Sequence, residues 1–118
     1  MTTALLVAVA GAAGVLARYG LGSLVAGDAA LWLTMAINVV GSFALGVLLT
    51  AGWGSDAARS AAGVGFLGGF TTYSTFSVQT VMAADSGRWL LAGTYLAGTV
   101  ILGILAAVAG IAVGRALR

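Results

Sequence analysis

Charge is nearly confined to a few positions in this sequence, and the intervals between them decide what the chain can become. Asp28, Asp56, Arg59, Asp85, Arg88, Arg115 and Arg118 mark off four uncharged runs, at roughly residues 4–26, 31–52, 61–83 and 89–113. A membrane-spanning helix needs about 20 mostly apolar residues, and each run is long enough. Only Arg18 lies inside one. The chain is 61% hydrophobic and 7% charged, whereas about a quarter of the residues of a soluble domain are charged. The runs do not alternate apolar with polar residues, as the strands of a membrane barrel would. The expected fold is therefore an all-α membrane protein, residues 1–118 forming one four-helix transmembrane domain with short loops. The first run is expected to stay as a span, because no basic start precedes it and its apolar stretch is too long for a cleaved signal.

The residue inventory excludes several functions. With no Cys and no His, the chain has no disulfide, no thiolate or imidazole metal ligand and no imidazole base. Five Arg against three Asp leave a net charge of +2, without the basic cluster that nucleic acid would require. An enzyme is disfavoured, since the hydroxyl groups have no base beside them that the sequence reveals. Four spans put both termini on one side, with Arg59, Arg115 and Arg118. The other side holds Arg88, with Arg18 nearest to it. Orientation follows the Lys/Arg bias of the loops, and three against two is almost none. Two readings stay open: weak topology determinants in a small protein, or dual topology, in which copies insert both ways and opposed copies pair.

Small residues recur four apart at Ser42 and Gly46, at Gly65 and Gly69, and at Ala106, Gly110 and Gly114. Such spacing lets helix backbones approach closely in lipid. Four thin spans do not easily enclose a water-filled path, so any such path is expected to be walled by an oligomer.

Polar groups at membrane depth should face protein or a cavity. Thr34, Asn38 and Ser42 are spaced i, i+4, i+8 and so share one face of the second span. Asn38, with two donors and an acceptor, is either an interhelical clamp or a donor lining an ion path. In the fourth span Tyr95 and Thr99 are followed by Gly103 at the same spacing. Thr99 either bonds back to its own helix or belongs to a second polar track.

The third span is the extreme case, with "GGFTTYSTFSVQT" at residues 68–80. Adjacent glycines weaken a helix by roughly 1 kcal/mol each relative to Ala, and Ser and Thr offer other partners to freed backbone groups. Together they predict a helix that breaks near the bilayer midplane, close to Thr72. Breaks of this kind are tolerated where the backbone lines a cavity, and they are typical of ion sites. The exposed carbonyl oxygens would suit a hard cation, which two opposed copies could enclose on their common axis. Tyr73 and Phe76 fall on one side of the second half-helix. They are either packing residues or ring edges, weakly positive, that line an anion path.

These stretches resemble the Fluc/CrcB family of fluoride channels along nearly the whole chain. "GVLARYGLG" (14–22) is similar to its first-span Arg motif, "NVVGSFALG" (38–46) to its second-span Asn motif and "GGFTTYSTFS" (68–77) to its third-span signature. The resemblance implies an antiparallel dual-topology dimer in a bacterial or archaeal plasma (inner) membrane. It implies passive fluoride export through two pores, and a structural sodium ion at the dimer axis held by the Gly68 and Thr71 carbonyls. It places Asn38, Tyr73, Phe76, Tyr95 and Thr99 in the pore, beside Ser42 and Thr34, and Arg18 at the aqueous vestibule. Three positions depart from the family pattern: Tyr73 replaces a phenylalanine, Gln79 a common glutamate and Gly103 a common hydroxyl residue. Some members act as heterodimers, so the partner is a second copy or a paralogous subunit, and a non-conducting partner subunit is the alternative function. A small multidrug-type transporter would need a carboxylate inside the membrane, and all three Asp lie at predicted span ends.

Overall fold

The computed structural model describes residues 2–118, and among these the regular elements are helical and no strand occurs. Helix α1 covers Thr3–Gly22, α2 Asp28–Thr50 and α6 Trp89–Ala116. These three are long and apolar enough to cross a membrane. The remaining span is built in pieces: α3 (Asp56–Ser60), a π-helical segment (Ala61–Leu67) and α4 (Gly68–Phe70) run on from one another, and α5 (Tyr73–Asp85) follows after a break. Thr71 and Thr72 are extended, with φ/ψ of −81°/161° and −152°/121°. The expected break is therefore present at the middle of the third span. It lies after the two glycines, which remain helical.

The helix limits have local causes. Thr2 caps α1 by accepting from Leu5 N–H, and Ser55 caps α3 by accepting from Ala58 N–H. Each caps an otherwise unpaired N–H of a first helical turn. Gly27, Gly52, Gly54 and Gly87 have positive φ and form the turns between spans. Asp28, Asp56 and Asp85 are helix-terminal residues, so among the described residues no carboxylate sits inside a span. Arg88 donates to Asp28 through both terminal nitrogens, tying the start of α6 to the start of α2. The hydrogen bonds and charge of Asp28 raise Arg88 above its ordinary value.

The molecule measures 48 × 29 × 19 Å. Its length matches a bilayer of about 40–45 Å including headgroups, and its thickness is about two helices. Helix α2 packs most extensively on α6, and α1 on the π-helical segment and α4. Both seams bring backbone against backbone. A Cβ added at Gly110 would lie 2.2 Å from the Phe43 carbonyl oxygen, and one at Gly69 would lie 2.5 Å from that of Gly11. Large side chains such as Ile101, Ile104, Leu105 and Val108 stay exposed, as suits a surface whose solvent is lipid.

Candidate functional site

The break in the third span is held from α2. Asn38 Oδ1 accepts from Thr72 N–H at 2.8 Å, and Asn38 Nδ2 donates to the Thr72 carbonyl at 2.9 Å. An extended residue inside a span would otherwise leave both of its backbone groups unpaired, which hydrocarbon penalises. Thr72 also caps α5: its Oγ1 accepts from Thr75 N–H at 3.2 Å and donates to Thr75 Oγ1 at 3.1 Å. Arg18 reaches the same region from α1, its Nε donating to the Gly69 carbonyl at 3.2 Å. This places a cation at the negative end of the first half-helix.

Two clefts meet at this break. One, of about 340 Å³, is lined by Asn38, Ser42, Thr71, Tyr73, Phe76 and Thr99, with Gly68 also on its wall. The other, of about 530 Å³, is lined by Arg18, Thr34, Thr75 and Gln79 among others. Thr72 borders both. The shared face of Thr34, Asn38 and Ser42 is thus divided, with Thr34 on the Arg18 side and the other two opposite. Tyr95 borders neither cleft. Its ring is fully buried, edge-on to Phe76 at 5.3 Å and to Trp32 at 6.3 Å, and its hydroxyl donates to Gln79 Oε1 at 2.7 Å. Tyr73 and Phe76 lie 6.0 Å apart, but Tyr73 is 81% exposed and Phe76 only 5%.

The hydroxyl groups differ in what they can offer a ligand. Thr34 donates to the Ala30 carbonyl, Ser42 to that of Asn38 and Thr71 to that of Leu67. These hydrogens point back along their own helices. Thr99 does not bond back: its buried Oγ1 has no partner, the one such side-chain atom among the described residues. Buried polar groups are nearly always paired, so this unpaired hydroxyl stands out, and its residue lines the Asn38 cleft. Asn38 adds a free donor, since one of its two amide hydrogens goes to Thr72 and the other remains.

Two carbonyls are open at the break. Thr72 N–H, the natural donor to Gly68, is taken by Asn38, and among the described residues no hydrogen bond reaches the carbonyl of Gly68 or Thr71. They are hard oxygen donors at the negative end of a helix, a set that fits a hard cation. Among the described residues no cluster of carboxylates competes for that role. The residues that sequence reasoning missed are Thr72 as the clamped residue and Trp32 behind Tyr95. No local pattern marks either, because each acts through a contact between spans.

The pattern of CrcB-like proteins (Camphor Resistance) matches residues 5–111. Similar relatives include the fluoride-specific ion channel FluC of Novosphingobium aromaticivorans, 42% identical with 98% of each chain covered. That of Geobacter sulfurreducens is 40% identical, with 99% of this chain and 100% of the relative covered. FluC 2 of Natronomonas pharaonis is 44% identical, with 99% and 98% covered.

Proposed function

This chain belongs to the CrcB-like family, a family of ion channels and not of enzymes, and from that premise we propose that it is a fluoride-selective channel exporting fluoride passively across a bacterial or archaeal plasma membrane. The observation that carries the reading is the buried, unpartnered hydroxyl of Thr99, a residue that lines the Asn38 cleft. Fluoride is a small, strongly hydrated acceptor, so a path for it must replace water with donors. Thr99 O–H, the remaining Asn38 N–H and the ring edges of Phe76 and Tyr73 are neutral donors of that kind. Neutral groups also let the ion leave, because conduction fails where a site holds too well. Arg18, on the other side of the break, draws anions toward it.

The Asn38 cleft is open on one side and its wall holds the exposed Tyr73. In this reading a second chain in the opposite orientation closes it, giving two equivalent pores. The Gly68 and Thr71 carbonyls of both copies would then hold one sodium ion on the axis. Such an ion supplies a fixed positive charge beside the pores.

The test is efflux from liposomes holding this chain alone, with fluoride and chloride followed by separate electrodes. Fast fluoride efflux without chloride efflux supports a self-sufficient homodimeric channel. Equal efflux of both ions removes the selectivity claim. A folded protein that passes neither ion supports the alternative, a non-conducting subunit that needs a paralogous partner.

A further inference from the structure

In an uninterrupted helix Thr72 N–H would donate to the Gly68 carbonyl, four residues earlier. Here it donates to Asn38 Oδ1 instead. The preceding residue still follows the helical rule, Thr71 N–H donating to the Leu67 carbonyl at 2.9 Å. Gly68 is therefore left without its helical donor, and the group that removes it belongs to α2. Thr71 is also held from α2: a Cβ on Gly41, one turn beyond Asn38, would lie 2.2 Å from Thr71 Cγ2.

We infer that Asn38 is a positioning residue for the cation site: by taking the Thr72 N–H it leaves the Gly68 carbonyl open to a metal ion. The inference rests on the proposed sodium site. It is separate from the role of Asn38 toward fluoride. The acceptor end of the amide, Oδ1, opens the carbonyl; the donor end, Nδ2, holds Thr72 and faces the anion. The cation role therefore needs an oxygen acceptor at position 38, which an apolar side chain of similar size does not supply. With no acceptor there, Thr72 N–H is free to return to Gly68 and close the site.

The test uses the full chain in detergent micelles. Sodium is titrated against a large organic cation at constant ionic strength, and the unfolding temperature reports binding to the folded state. In the unsubstituted protein the unfolding temperature rises with sodium. Asn38→Asp keeps an acceptor oxygen and responds at or below the same midpoint concentration. Asn38→Leu raises the midpoint by about tenfold or more. A folded Asn38→Leu protein with the unsubstituted midpoint overturns the inference while leaving the sodium site standing. If Asn38→Leu does not fold, Asn38→Ala, which also lacks the acceptor, decides, and a folded Asn38→Ala protein with the unsubstituted midpoint overturns it. An unsubstituted protein indifferent to sodium overturns both the inference and the sodium site beneath it. A merely structural role for Asn38 would lower the unfolding temperature without moving the sodium midpoint.

Discussion

The Tyr95 hydroxyl donates to Gln79 Oε1 at 2.7 Å, joining α6 to α5 beside the helix break. The two ends of this bond differ in burial. Tyr95 is fully buried, whereas Gln79 lies on the wall of the Arg18 cleft. Removing the donor leaves Gln79 near a cleft; removing the acceptor strands a hydroxyl in the core. Gln79→Leu should therefore cost about 1–3 kcal/mol, the range for an unsatisfied buried group. Tyr95→Phe should cost only about 0.6 kcal/mol, a typical hydrogen bond between membrane helices. Reversible unfolding in mixed micelles measures both. The reverse ranking would mean that the Tyr95 hydroxyl has a further partner.

Thr99 gives the opposite relation between stability and activity. Its hydroxyl is buried without a partner, so the folded protein already bears the cost of having desolvated it. Thr99→Val removes that group at nearly the same shape and should leave stability unchanged or raise it by up to about 1–2 kcal/mol. The same substitution removes a donor from the cleft and should lower fluoride efflux by tenfold or more, on the scale of about 1.4 kcal/mol per factor of ten. Thr99→Ser keeps the hydroxyl and should retain efflux. Equal efflux from all three proteins would take Thr99 out of the path.

The four apolar runs are legible in the sequence because a bilayer demands length and apolarity together, and loops and caps then move their ends by only a few residues. The break is legible as a polar cluster centred near Thr72, but the contact that sets it there is not. Glycine weakens helices locally, which points to Gly68 and Gly69. Yet both are helical, and Gly69 serves close contact with Gly11. The chain leaves the helix at Thr71 and Thr72, where Asn38 supplies partners from another span, a contact that local propensity does not contain. The same limit applies to Tyr73 and Phe76. Three-residue spacing puts them on one side of α5, but Tyr95 packs against Phe76 and leaves Tyr73 exposed. Of the candidate hydroxyls, sequence spacing treats Thr34, Ser42 and Thr99 alike. Only the paired and unpaired state of each oxygen distinguishes the free donor.

The contact between Gly41 and Thr71 allows the fit of the break to α2 to be tested by rescue. A Cβ at position 41 would meet Thr71 Cγ2 at 2.2 Å, while the next atom, Thr71 Cβ, lies at 3.7 Å. One methyl group is thus the obstacle. Gly41→Ala should destabilise the protein by about 1–3 kcal/mol, the usual cost of overpacking, although Ala alone favours a helix over Gly by about 1 kcal/mol. Thr71→Ser removes the obstructing methyl and keeps the hydroxyl that donates to Leu67. The double variant should therefore recover most of the lost stability, with a coupling of about 1–3 kcal/mol between the two sites. Unfolding of the two single variants and the double variant completes the cycle. Additive effects would mean that α2 and the break are not in the contact described, and that Thr71 is held by its own half-helix alone.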